Sequence, residues 1–161
     1  MPVFLSHKRE DKPKALRIGE FFKSHGIRCY IDVLDPELST TNDITEVIKT
    51  RVKQCTHLMA VVSDNTQKSW WVSFEIGVAS ELKRRITSFD TGKTTLPEFL
   101  EKWPVLSSEK HLSLFVKAYK KDVSISLEEA HGADYSMRGS IKTDQQFHEN
   151  LKQSINMSKF Y

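Results

Sequence analysis

The chain has 161 residues and contains few cysteines, few glycines and no long apolar run. Two cysteines, Cys29 and Cys55, cannot form a disulfide-rich scaffold, and both lie in or beside predicted core segments, as buried free thiols do in a reducing compartment. No apolar stretch reaches the roughly 18 residues of a membrane helix. The first residues do not resemble a signal peptide. We therefore expect a cytoplasmic protein.

Strong charge of one sign is also missing. The sequence has 24 Lys and Arg against 21 Asp and Glu, a net charge of +3, which argues against a nucleic-acid surface. The basic run at residues 83–85 closes a predicted helix, where cations are stabilised by the helix dipole. The six histidines show neither i, i+4 pairs nor cysteine partners at ligand spacing, so we expect no metal site.

Apolar strands and amphipathic helices alternate through the first 90 residues. Strands are predicted at residues 2–6, 27–33, 57–63 and 86–89, the first two of them as buried strands, with helices between them. Short connections in the order β-α-β-α-β-α-β predict a doubly wound parallel α/β sheet. Local signals support the helix ends: Gly26 after the first helix, Asp43 and Glu46 at capping-box spacing, and Ser69 as an N-cap.

The remaining residues, 91–161, are less regular. Helices are predicted around residues 111–121 and 144–157, and a helical turn is expected within LPEFLEKWP. Between residues 122 and 142 we expect one short strand and a mobile loop.

Polar side chains follow the first three strands, and parallel sheets place binding sites at the carboxyl ends of their strands. The expected site-forming residues are Ser6, His7, Lys8 and Arg9, then Asp32, Asp35 and Glu37, then Ser63 and Asp64. The helix after the third strand carries Glu75 on one face with the apolar residues Trp71, Phe74, Val78 and Leu82. A carboxylate in such surroundings is either paired, for example with Lys8 or Arg9, or kept for chemistry.

Three sequence segments resemble the conserved boxes of TIR domains. VFLSHKRED is similar to their first box. The segment from IRCYIDV through LDPELSTTNDITEVIKTRVKQCTHLMAVVS is similar to their second strand, BB loop, second helix and third strand, and SWWVSFEIGVA to their W-x-x-x-E box. The match covers residues 2–90 in order, and LPEFLEKWPVL resembles the later part of stand-alone bacterial TIR proteins. The resemblance implies a flavodoxin-like TIR fold in three layers. Residues 1–161 would form a single TIR domain, with a core at 1–90 and an irregular C-terminal extension.

The resemblance also implies an activity. In enzymatic TIR domains the glutamate of the W-x-x-x-E box is required to cleave NAD at its nicotinamide–ribose bond, and the matching residue here is Glu75. The matching substrate contacts are Trp71, Asp32, Glu37, His7 and Lys8, with Lys8 suited to a phosphate. NAD would be the substrate, with no separate cofactor and no metal. The BB loop lacks the usual Pro-Gly tip and reads DPELSTT.

Similar compact bacterial proteins act in Thoeris-type antiphage defence, where an ADP-ribose-type signal, often cyclic, activates a separate effector. The same likeness implies self-association through TIR–TIR contacts and no nucleic-acid or membrane partner. Two other functions remain open: a non-catalytic TIR adaptor, and an enzyme similar to nucleoside deoxyribosyltransferases. Each candidate residue also has a plain structural interpretation: Trp71 as core, Asp32 as a turn former, and His7, Lys8 and Glu37 as solvated side chains.

Overall fold

The computed structural model describes residues 1–31, 44–66, 69–92, 96–131 and 138–160. The strands are β1 Val3–His7, β2 Cys29–Ile31, β3 His57–Val62, β4 Arg85–Asp90 and β5 Val105–Leu106. The helices are α1 Lys12–Ser24, α2 Ile44–Gln54, α3 Trp70–Glu81, α4 Glu98–Glu101, α5 Glu109–His131 and α6 Arg138–Met157. Short 3-10 helices at Arg9–Asp11 and Ser158–Phe160 precede α1 and follow α6.

The five strands form one parallel sheet in the order β2-β1-β3-β4-β5. In the register between the two central strands, Val3 lies opposite His57 and Ser6 opposite Ala60. All six residues of β3 are buried, as expected for a strand with a neighbour on each side and helices above and below. The predicted doubly wound sheet and the order of its first seven elements are confirmed.

Helices cover both faces of the sheet, so the molecule has three layers. On one face α1, α5 and α6 pack over Val3, Leu5, Met59 and Val61. On the other face α2, α3 and α4 pack over Phe4, Leu58, Ala60 and Val62. Successive strand residues point to opposite faces, which is why neighbours in β1 and β3 belong to different cores. Among the described residues, no helix has both the length and the apolar composition needed to cross a bilayer.

Two of the predicted helix-end signals are confirmed. Gly26 has φ 77°, a conformation that favours glycine, and its N–H donates to the Lys23 carbonyl at 3.0 Å to close α1. The Ser69 hydroxyl accepts the Val72 N–H at 3.3 Å and so caps α3. The third signal depends on Asp43, which lies outside the described residues.

The prediction that the second strand is buried was wrong. β2 spans three residues at the edge of the sheet, and Tyr30 is 45% exposed. The sequence IRCYIDV has the β-branched and aromatic residues of a core strand, but sheet order decides burial, and an edge strand has only one neighbour.

The prediction for residues 122–142 was also wrong where the structure describes them. α5 continues to His131 and α6 begins at Arg138. Residues 122–131 and 138–142 are therefore helical, where a strand and a loop were expected, and residues 132–137 lie outside the described part of the chain. α5 contains no glycine or proline, and its buried residues Phe115 and Tyr119 hold it on the core. The two-residue strand β5 was not predicted.

Candidate active site at the carboxyl edge of the sheet

A buried serine and a buried glutamate meet at the carboxyl end of β1. The Ser6 hydroxyl donates a hydrogen bond to Oε2 of Glu75, and the two residues are only 1% and 2% exposed. They are 69 positions apart in sequence and come together because β1 and β3 are adjacent and α3 follows β3. The bond satisfies one acceptor of a carboxylate whose burial would otherwise be costly.

α3 presents Glu75 inward because of its apolar pattern. The fully buried stripe of the helix consists of Val72, Glu75, Ile76 and Ala79, all packed toward the sheet. The predicted companions Trp71, Phe74, Val78 and Leu82 pack at the border of the same core and are only partly buried. The stripe that holds Glu75 is therefore centred one position further along the helix than the sequence pattern indicated.

Two tryptophans open α3 and have different environments. Trp70 is 92% exposed, whereas Trp71 is half-buried and stacks on Phe74 with ring centroids 6.0 Å apart. Trp71 lies one helical turn before Glu75, in the first turn of α3. Its partial exposure fits both interpretations of this residue, as core and as the wall of a pocket.

The basic residues after β1 lie near the same edge. His7 ends β1 half-buried, with Nδ1 3.3 Å from the Leu5 carbonyl oxygen. Lys8 has a 30% exposed side chain, and its ammonium lies 3.4 Å from a carboxylate oxygen of Glu10. This ion pair is exposed to solvent, which screens it, so it does not hold Lys8 firmly. Asp32 and Glu37, expected from the BB loop, lie outside the described residues.

Asp11 is a structural residue of this edge that the sequence interpretation missed. Its carboxylate oxygen Oδ2 accepts hydrogen bonds from Ser63 Oγ at 2.8 Å and Thr66 Oγ1 at 3.1 Å. The start of α1 is thereby tied to the loop that leads from β3 toward α3. The two hydroxyl residues Ser63 and Thr66 follow the third strand, but nothing in the sequence paired them with an acid more than 50 positions earlier.

A shallow cleft of about 210 Å³ opens beside Asp11. It is lined by Glu10, Asp11, Pro13, Lys14, Arg17 and Thr91. Lys14 also lies over the Phe89 ring, 5.1 Å from its centroid. The cleft is on the α1 side of the sheet, whereas Glu75 is on the α3 side. Within the described part of the chain, no cluster of three or more His, Cys, Asp or Glu side chains could hold a metal ion.

A second set of buried polar side chains lies at the opposite end of the sheet, where the parallel strands begin. We call this set the amino-end cluster, and its members are His57, Arg85, Asp122 and His148. Arg85 binds Asp122 through two nitrogens, at 3.0 and 3.1 Å. His148 Nε2 accepts the N–H of Ile86 at 2.8 Å and so fastens α6 to β4. Burial is the main cause that lowers the pKa of His148 to about 4.

His57 is completely buried within the amino-end cluster, between the rings of Phe115, Tyr119 and Phe147. Burial first, and then the positive charge of Arg85, lower its pKa well below the usual value. Its Nε2 lies 3.5 Å from Asp122 Oδ2, too far for a good hydrogen bond. We therefore treat His57 as neutral, and Asp122 as the partner of Arg85.

The parallel five-stranded sheet, its helical layers and the buried carboxylate at its carboxyl edge define a doubly wound α/β protein. The sequence profile of the TIR domain matches residues 3–127, which is more than half of the chain. The chain belongs to the TIR domain family, and the predicted resemblance is confirmed.

Two curated relatives carry names that describe an activity. "Probable 3' cyclic ADP-D-ribose synthase ThsB'" of Bacillus cereus (strain MSX-D12) is 23% identical over 88 residues, covering 52% of this chain and 46% of the relative. "Putative cyclic ADP-D-ribose synthase TIR2" of Cytobacillus dafuensis is 29% identical over 89 residues, covering 52% and 24%. The chain thus matches less than half the length of each relative.

The fold is also similar to a solved TIR domain. The crystal structure of the TIR domain of the Toll-related receptor TRR-2 from Hydra magnipapillata superposes with a TM-score of 0.60 at 17% identity. The alignment covers 76% of this chain and 97% of that one. At this level of identity the likeness establishes the TIR fold.

Proposed function

We propose that this protein is a TIR-domain enzyme that cleaves NAD at the bond between nicotinamide and ribose. The observation that carries the proposal is the buried glutamate of the W-x-x-x-E box, Glu75, held by Ser6 at the carboxyl edge of the sheet. The names of the two relatives, which describe cyclic ADP-ribose synthases, support the same chemistry.

Glu75 would stabilise the charge that develops on the ribose. When the glycosidic bond to nicotinamide breaks, its electron pair leaves with neutral nicotinamide and C1′ becomes an oxocarbenium-like cation. A carboxylate fixed beside C1′ lowers the energy of that cation electrostatically. A water molecule would then add to give ADP-ribose and a proton. If a hydroxyl of the same molecule adds instead, the product is a cyclic isomer.

The other residues have supporting roles in this proposal. Ser6 is a positioning residue, because its hydroxyl fixes Oε2 of the Glu75 carboxylate. Trp71 would form the wall beside the nicotinamide-bearing ribose, and His7 and Lys8 would contact the nucleotide, with Lys8 directed at a phosphate. Asp32 and Glu37 keep their proposed part as substrate contacts from the BB loop.

Burial of Glu75 sets a condition on activity. A carboxylate that is 2% exposed contacts a substrate only after neighbouring groups move. We therefore propose that self-association through TIR–TIR contacts opens and completes the site, so that activity rises with protein concentration. NAD would be the substrate of a cytoplasmic enzyme with no separate cofactor. Its product would signal to a separate effector in antiviral defence.

The second candidate is a non-catalytic TIR adaptor that works by assembly alone. The same burial favours it, because a glutamate closed off by a serine also makes sense as a purely structural group. An adaptor would assemble without consuming NAD. The two functions therefore differ in one measurable quantity, the release of nicotinamide.

The test is to incubate concentrated protein with NAD, with and without a crowding agent, and to measure nicotinamide by chromatography. We expect the native chain to release nicotinamide and Glu75→Gln to be slower by about 10³-fold, as for loss of one strong electrostatic contact in a transition state. Glu20→Gln, an exposed glutamate on α1 on the opposite face of the sheet, is the matched control. Assembled, folded native protein that releases no nicotinamide would favour the adaptor.

A further inference from the structure

An apolar groove with basic residues on its rim runs between α2 and α3 on the outer side of the helical layer. Its volume is about 370 Å³, and its apolar part is formed by Phe74, Val78 and Leu82. Lys49 and Lys53, one turn apart on α2, line its other side. We refer to this surface as the α2–α3 groove.

Gly77 leaves room in the α2–α3 groove. A Cβ placed on this residue would meet no atom within 4 Å, and the residue is exposed. Most of the lining is carbon, so water in the groove has few partners and is readily displaced by an apolar side chain. The groove therefore has the chemistry to take an apolar group flanked by negative charge.

The same chain presents such a group on α4. Phe99 is 49% exposed, and its neighbours Glu98 and Glu101 are both exposed. We refer to these three residues as the α4 knob. The helix beneath them is anchored, because Leu100 and Trp103 are buried in the core that α4 shares with α2 and α3. The aromatic ring is thus held out on a fixed support at low entropic cost.

We propose that the α2–α3 groove of one copy of this chain receives the α4 knob of a second copy. Phe99 enters the apolar part of the groove, and Glu98 and Glu101 approach Lys49 and Lys53. The argument is complementarity within one sequence: an aromatic residue between two acids, and an apolar groove edged by two bases.

Two further acidic residues beside the groove, Glu46 and Glu81, fit this arrangement. Lys49 already lies 2.5 Å from Glu46 on its own helix, and both side chains are exposed. Incoming carboxylates therefore extend a hydrated ion-pair network without having to break a buried pair. Glu81, at the end of the groove, meets the exposed Lys102 that follows the knob. Each copy thus offers both signs of charge to its partner.

The groove and the knob are different surfaces, which permits a specific test by charge exchange. The groove variant carries Lys49→Glu and Lys53→Glu, and the knob variant carries Glu98→Lys and Glu101→Lys. Each variant alone sets like charges against each other, so we expect self-association to weaken by at least about tenfold. Mixed together, the native knob of the first meets the native groove of the second, and the two reversed surfaces also match.

The measurement is sedimentation velocity over a concentration series for the native chain, each variant and the equimolar mixture. We expect association of the native chain, loss of association in each variant, and recovery in the mixture. The matched control is Lys117→Glu with Lys121→Glu, two exposed lysines at the same spacing on α5, on the opposite face of the sheet. This control should associate as the native chain does.

Two uncharged variants test the apolar part of the contact. Phe99→Ala removes the ring, and Gly77→Gln places a polar side chain in the space that the ring would enter; both should weaken association. A native chain that stays monomeric, variants that associate normally, or a mixture that does not recover would each overturn the proposal. If only the groove variants lose association, another segment occupies the groove. These readouts do not involve NAD, so they stand apart from the proposed enzymatic activity.

Discussion

Buried polar side chains lie at both ends of the parallel sheet, and they are held in different ways. In the amino-end cluster, Arg85 and Asp122 form a bidentate ion pair, and His57 is surrounded by three aromatic rings. At the carboxyl edge, Glu75 has a serine donor and lies one turn from the half-exposed Trp71. Burial of a charged group is thus not enough to mark a site in this fold.

What separates the two ends is the type of partner. The carboxylate of Asp122 is matched by a guanidinium, so the pair is already neutral and serves to join β4 to α5. The carboxylate of Glu75 receives a hydrogen bond from the Ser6 hydroxyl, which fixes one of its oxygens. We propose that this carboxylate stabilises a cation that develops beside it. The following predictions test this distinction, starting with the largest expected effect.

Asp122→Asn should lower the free energy of unfolding by about 3 kcal/mol, because Arg85 would stay buried without its counter-charge. Chemical denaturation followed by circular dichroism measures the loss. The matched control is Glu109→Gln, an exposed acid on the same helix, which should change stability by less than about 0.5 kcal/mol. Equal effects of the two substitutions would show that the amino-end cluster does not stabilise the fold.

Acid should destabilise the protein through His148 and His57. Their folded-state pKa values are lowered, His148 to about 4, so the folded state binds fewer protons than the unfolded state below pH 6.5. Stability is fully present above pH 6.5 and is lost as the pH falls from there toward 4. At about 1.4 kcal/mol per pKa unit, the contribution of His148 is of the order of 3 kcal/mol.

His148→Gln tests this assignment, because an amide oxygen can still accept the Ile86 N–H but cannot be protonated in this range. We expect unfolding free energies that fall less steeply between pH 6.5 and 4 than those of the native chain. Gln145→Ala, a substitution of an exposed, uncharged residue on α6, should leave the slope unchanged. A native chain with no pH dependence in this window would contradict the lowered pKa.

Ser6→Ala should have a smaller effect on stability and a distinct effect on activity. Loss of the hydroxyl leaves a buried carboxylate oxygen short of a donor, which costs about 1–3 kcal/mol. If Ser6 positions Glu75, nicotinamide release should fall by about tenfold, chiefly in kcat. Ser88→Ala is the matched control, since Ser88 is buried in β4 and its hydroxyl has no hydrogen-bond partner among the described residues. A Ser6→Ala protein with native kcat would remove Ser6 from the site.

The sequence was most informative where one physical signal dominates. The uninterrupted apolar run from Leu58 to Val62 located β3, and the cap at Ser69 located the start of α3. The predicted order of strands and helices placed Glu75 near the carboxyl ends of the parallel strands, where such sheets form their sites. The sequence did not show which strand lies at the side of the sheet, because the position of β2 depends on which strands pair.

Contacts between distant residues were beyond the reach of sequence patterns. The hydrogen bond from Ser6 to Glu75 was not predicted, because the two residues are 69 positions apart and Ser6 lies inside β1. The hydrogen bonds between Ser63 and Asp11 and between Ile86 and His148 likewise join segments more than 50 positions apart. The extension of α5 to His131 was not predicted, because the sequence pattern does not show the packing that holds α5 to the core.

The most direct test of the account is the rate of nicotinamide release per mole of folded protein for two variants at high concentration. Glu75→Gln should lose about 10³-fold of the native rate while remaining folded. Asp122→Asn should keep a rate close to native at a temperature where it is folded, despite its lower stability. If the two variants lose activity equally, or if neither differs from the native chain, the distinction between the two ends of the sheet is wrong.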